Sequence, residues 1–117
     1  MNRPIKFRVW DKRENKGMST QNMLYDAQLH HLWQDFVDYP GYELMQYTGC
    51  RDSSNKEIYE GDIVQYSNGD VIRIGYIEFM SGIFFLNYND ETDEELGYLL
   101  VSNLKVIGNK FEHKELI

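Results

Sequence analysis

Ile5, Phe7 and Val9 alternate with Lys6 and Arg8, and a period of two describes a half-buried strand whose basic side chains face water. Residues 11–17 read as a turn. From Asp26 the period lengthens: Leu29, Leu32, Trp33 and Phe36 stand at i, i+3, i+4 and i+7, one stripe of a helix over residues 27–37. Pro40-Gly41 ends that helix. Residues 42–47 have strand composition. Residues 50–56 contain Asp-Ser-Ser-Asn, side chains that hydrogen-bond their own backbone in turns, and Ile58-Tyr59 resumes an extended run.

The later half repeats short apolar runs separated by turns. Gly61-Asp62 before Ile63-Val64-Gln65-Tyr66 reads as a tight strand entry, with Gly61 in a conformation closed to other residues and Asp62 accepting a backbone N–H. Asn68-Gly69 marks a hairpin to a return strand over residues 71–79. Within that strand Ile72 and Ile74 are even while Ile77 and Phe79 are odd, and an extra residue or sharp bend at Gly75 reconciles the two parities. Met80-Ser81-Gly82 turns the chain into residues 83–86. Residues 87–95 read as an acidic loop, and 98–101 and 104–108 as two further short strands. Such a series predicts a mainly β, α+β protein: an N-terminal α+β part with one helix over residues 1–57, closely packed on a C-terminal SH3-like small β-barrel over 58–117.

Three blocks carry a family likeness. The opening Ile5-Lys6-Phe7-Arg8-Val9-Trp10-Asp11 is followed by Leu44-Met45-Gln46-Tyr47-Thr48-Gly49 with Ile58-Tyr59-Glu60-Gly61-Asp62-Ile63-Val64, and the chain closes on Val106-Ile107-Gly108-Asn109. In this order they resemble the YopX family of small proteins encoded by bacteriophages and prophages of Gram-positive bacteria. The resemblance implies the same two-part division and a phage or prophage origin. It implies no particular reaction.

Composition narrows the class. A chain of 117 residues that is 42% hydrophobic and 15% aromatic can build a core and is too apolar for disorder. No apolar run nears the roughly 20 residues of a membrane-spanning helix. Arg3, Lys6, Arg8, Lys12 and Arg13 interrupt any signal-peptide core, so a cytoplasmic protein is expected. Cys50 is the single cysteine, which leaves no internal disulfide and no cysteine-pair zinc site.

The net charge of −7 is unevenly spread. Residues 1–20 carry six Lys/Arg against Asp11 and Glu14, net +4, and the remainder carries six against seventeen acids, net −11. Most of that surface repels phosphate, so nucleic-acid binding would fall to the basic strand alone, through Lys6, Arg8, Lys12, Arg13 and Lys16. The same division allows the basic end of one copy to meet the acidic part of another.

Candidate chemistry is sparse. Glu60 and Asp62 flank a glycine as an acid and base pair would, yet the strand-entry reading accounts for them. The run Asp90-Glu91-Thr92-Asp93-Glu94-Glu95 lacks the ligand spacing and central glycine of a calcium loop and reads as a solvated loop. His30 and His31 point about 100° apart on a helix and cannot share a metal. Cys50 lies in no cysteine-hydrolase signature. No catalytic, cofactor or metal residue is assigned. The expectation is a non-enzymatic protein acting by protein–protein contact, as a homo-oligomer or with a host or phage protein. The alternatives are nucleic-acid binding by the basic strand and an acidic DNA mimic that occupies a host protein.

Overall fold

The computed structural model of the chain describes residues 5–11, 22–25, 42–88 and 90–117. The helix expected over residues 27–37, the pair His30 and His31, and Lys12, Arg13 and Lys16 lie outside the described residues. The chain divides into two units, Met1–Tyr47 and Thr48–Ile117.

In the first unit β1 (Phe7–Asp11) pairs antiparallel with β2 (Asn22–Leu24) on one side and with the start of β3 (Tyr42–Arg51) on the other. Val9 is fully buried among Phe7, Leu24 and Tyr42. Opposite Val9, the face formed by Arg8, Trp10 and Met45 is buried as well, so β1 is not half-buried as its alternation predicts. Arg8 is opposite Met45 in the register and two residues from Trp10, and an arginine stem follows such apolar neighbours inward.

The second unit begins inside β3, ten residues before the expected boundary at 57/58. A hairpin explains the shift: past Thr48, β3 turns at Asp52–Lys56, where the Asp52 N–H donates to Lys56 O at 2.8 Å, and returns as β4 (Glu57–Tyr59). The strands β5 (Asp62–Asn68), β6 (Val71–Met80), β7 (Ile83–Tyr88), β8 (Asp93–Glu95) and β9 (Leu104–Asn109) form one antiparallel sheet in the order β8-β7-β6-β5-β9. Ile58, Val64, Ile77, Leu86, Tyr88, Leu96, Leu104 and Val106 make its core, and Cys50, Tyr66, Phe84 and Leu99 pack against them. Opposed pairs supply it in register, Ile77 beside Leu86 and Tyr66 beside Leu104. The protein is mainly β. Among the described residues its helical elements are three-residue 3₁₀ turns, Leu96–Tyr98, Val101–Asn103 and Lys114–Leu116.

Three local expectations are corrected. Gly75 carries no bulge: β6 pairs without interruption from Val71 to Tyr76 with β5 and from Gly75 to Met80 with β7. Parity does not switch, because Ile72 and Ile74 face away from the core and are 61% and 38% exposed. Glycine serves close approach instead. A Cβ at Gly75 would strike Asn87 O and stand 3.1 Å from Leu86 Cδ1. The register slips elsewhere, between Ile63 and Val64 against β9, where Gly108 and Val106 are successive partners and Ile107 is the extra residue.

The acidic stretch is not simply a loop. Asp93–Glu95 forms β8 against Asn87, Leu86 and Phe85, and Tyr88 N–H donates to Thr92 O at 2.9 Å to close the connection. Residues 98–101 are not a strand. Leu96 and Leu99 enter the core three residues apart, the period of a 3₁₀ turn, and the Leu99 N–H donates to Leu96 O.

Candidate interaction surface

Asp62 and Asp52 are committed to holding backbone. Asp62 is buried, and its Oδ2 accepts the Tyr59 N–H at 2.7 Å. Gly61 has φ +87°, donates its N–H to Ile77 O and accepts the Lys110 N–H, fastening the start of β5 to β6 and to the end of β9. This arrangement positions strands and leaves Asp62 turned to the backbone.

Asp52 does more than make a turn. Its Oδ1 accepts the N–H groups of Ser54 and Lys56 at 2.8 and 2.9 Å, and its Oδ2 accepts that of Val106 at 2.9 Å. Ser53 N–H also donates to Leu104 O. The 52–56 turn thereby covers the edge of β9 that β5 leaves open, the edge at which another strand would otherwise add. Burial raises the Asp52 pKa, and the three N–H donors with the Lys56 charge outweigh it, so the carboxyl stays below its ordinary range.

The acidic run is bonded in two places. Arg73 lies with its guanidinium 3.5 Å over the Tyr88 ring, contacts Asp90 at 3.1 Å and donates to Thr92 Oγ1 at 2.7 Å. The Thr92 N–H and hydroxyl both donate to Asp90 Oδ1 and hold its carboxyl below the usual range. The Tyr88 hydroxyl donates to Glu94 at 3.0 Å, and burial, then Glu94, pushes the phenol pKa upward. Among the described residues, no three or more His, Cys, Asp or Glu stand together as a metal site.

Of the basic residues assigned to a partner surface, Lys6 and Arg8 lie among the described residues. Arg8 is 3% exposed, so its guanidinium is unavailable to a phosphate. Lys6 is half-buried with Nζ 5.7 Å from the Tyr47 ring centroid.

The second unit also exposes large apolar side chains. At the tip of the β6–β7 hairpin, Phe79, Met80 and Ile83 are 38–41% exposed, and the rings of Phe79 and Phe84 lie 4.7 Å apart at 53°. Following β8, Leu96 and Leu99 anchor a platform from which Tyr98 and Leu100 project, 84% and 64% exposed. A fold of this size ordinarily hides rings and aliphatic chains so placed, and their grouping makes them the candidate contact surface. Sequence reasoning passed over both. The available signal was that residues 79–86 are apolar at odd and even positions alike, more than a single buried face accounts for.

Comparison with known proteins agrees with this architecture. The chain matches the family described as YopX protein over residues 6–117. It is similar to the crystal structure of protein EF1440 of Enterococcus faecalis, at 24% identity and a TM-score of 0.58, covering 98% of this chain and 99% of that one. It is likewise similar to the crystal structure of the yopX protein of Bacillus subtilis, at 18% identity and a TM-score of 0.58, covering 96% and 97% of the two chains. At these identities the two structures establish likeness of fold. No curated protein matches the chain.

Proposed function

The chain belongs to the YopX family, and we propose that it is a non-enzymatic phage or prophage accessory protein that works by protein–protein contact and self-association in the cytoplasm of its bacterial host. The observation that carries this reading is the exposed apolar tip of the β6–β7 hairpin on the second unit, formed by Phe79, Met80 and Ile83. The same reading takes the later strands as an SH3-like small barrel preceded by an α+β part. In its favour are the five-stranded antiparallel sheet, the 3₁₀ turn before the last strand, and the bonds from the 52–56 turn to β9.

A host protein is the second reading. Residues 48–117 carry six Lys/Arg against thirteen Asp/Glu, net −7, and an acidic run directly precedes the exposed Tyr98. A basic partner with an apolar pocket fits that platform, as it would fit an acidic DNA mimic. Nucleic-acid binding by the N-terminal strand is disfavoured by the burial of Arg8. Sedimentation of the purified protein over a wide concentration range tests the first reading, which requires a mass above one chain. A monomer that captures one basic host protein would replace it by the second.

A further inference from the structure

We propose that the tip of the β6–β7 hairpin is where one copy of this chain meets a second about a two-fold axis, an inference that rests on the reading that the protein self-associates. The argument begins with charge. A two-fold contact sets each surface opposite its own copy, so like charges meet. On a chain of net charge −7 this is unfavourable over most of the acidic unit. It is worst at the 96–101 platform, whose self-contact would draw together two sets of Asp90, Glu91, Asp93, Glu94 and Glu95. The hairpin is different. From Phe79 to Asn89 there is no charged residue; Glu78 and Glu95, on either side of Phe85, flank the Met80–Ile83 pair on its face, with Glu78 held by the Asn87 amide at 2.7 Å, so a contact at the tip draws together fewer carboxylates than one at the platform.

Shape and stiffness agree. Met80 opposes Ile83 in the register, and the two residues between them, Ser81 at φ +53° and Gly82 at φ +79°, form the tight turn that matches strand twist. Met80 and Ile83 lie on one face of the hairpin while the Phe79–Phe84 pair lies on the other, so the tip is apolar on both sides. A surface already ordered loses little entropy on docking. Strand addition is a poorer route, because the 52–56 turn occupies the β9 edge and the opposite edge is the three-residue acidic β8.

The test is sedimentation velocity on the full chain at low and high salt, with Met80→Glu, Ile83→Glu and Tyr98→Ser as variants and far-UV circular dichroism to establish that each is folded. The wild type should associate, and more tightly at 1 M than at 0.1 M salt, as screening shortens from about 10 Å to about 3 Å and weakens self-repulsion. Met80→Glu and Ile83→Glu each place a carboxylate opposite its own copy and should weaken association roughly thirtyfold or more, while Tyr98→Ser leaves it unchanged. An oligomer that withstands both glutamates overturns the hairpin assignment and leaves self-association standing. One that weakens with salt points instead to contact between the basic and acidic ends. A wild type that stays monomeric throughout overturns this proposal together with the reading beneath it.

Discussion

Gly75 and Asp52 show how far single residues can be read from a sequence. A glycine in the middle of a strand signals something, and the parity of its apolar neighbours suggested a bulge. The structure assigns it to close approach of the Asn87 carbonyl, which no spacing rule reveals. Gly75 is absent from the positive-φ glycines, so substitution acts through contact rather than backbone strain. Gly75→Ala should destabilise the protein by about 1–3 kcal/mol in chemical denaturation, since β7 must move for the methyl to fit. An unchanged denaturation midpoint would show that the strands separate freely there. Asp52 was legible as a turn residue, but its bond to Val106 spans 54 residues of sequence and was not. Asp52→Asn leaves buried N–H groups short of an acceptor and should cost about 1–3 kcal/mol near neutral pH. The folded-state pKa is depressed, so this contribution is fully present above the unfolded value of about 3.9 and is lost as pH falls through the lower folded value. Wild type and variant should therefore converge in stability on acidification below about pH 4, measured by urea midpoints at each pH.

Elements were legible where local chemistry and tertiary pairing agree. The runs that became β3, β5, β6, β7 and β9 combine β-rich composition with flanking turns, and Asn68-Gly69 located a hairpin even though the register makes Gly69-Asp70 its central pair. They were illegible where packing overrides propensity. Asp93–Glu95 has poor strand composition and becomes β8 because β7 offers it a ladder. Residues 98–101 look like a strand and instead join the 3₁₀ turns Leu96–Tyr98 and Val101–Asn103, because Leu96 and Leu99 are drawn into one core. That anchoring predicts a sharp contrast within the platform. Leu96→Ala should cost about 2–5 kcal/mol, whereas Tyr98→Ser, at a side chain turned to water, should stay within about 0.5 kcal/mol. Thermal unfolding of the two variants side by side checks this. A costly Tyr98→Ser would mean that the ring packs in solution and offers no surface.

At the scale of the molecule, the β-rich class and the family were legible because they rest on patterns spread along the chain, while the exposed apolar tip was not. The basic strand is a run of charge, yet charge in a sequence does not say which side of a strand it occupies, and Arg8 is buried with Trp10. The apolar tip carries no motif and becomes a surface only once the β6–β7 register is known. Net charge then governs how that tip can be used. Two copies, each of charge −7, repel at neutral pH and repel less as carboxylates and histidines take up protons. Association through an uncharged tip should accordingly strengthen as pH falls from about 8 toward about 5.5, a range that leaves Asp52 ionised and its turn intact. Head-to-tail pairing of a basic end with an acidic surface keeps its attraction over that range, because carboxylates with pKa values of about 4 stay mostly ionised, and it is weakened by salt instead. Sedimentation equilibrium across that range, at 0.1 M and 1 M salt, separates the two: association that fails to strengthen on acidification and weakens with salt would locate the contact at the charged ends of the chain rather than at the hairpin.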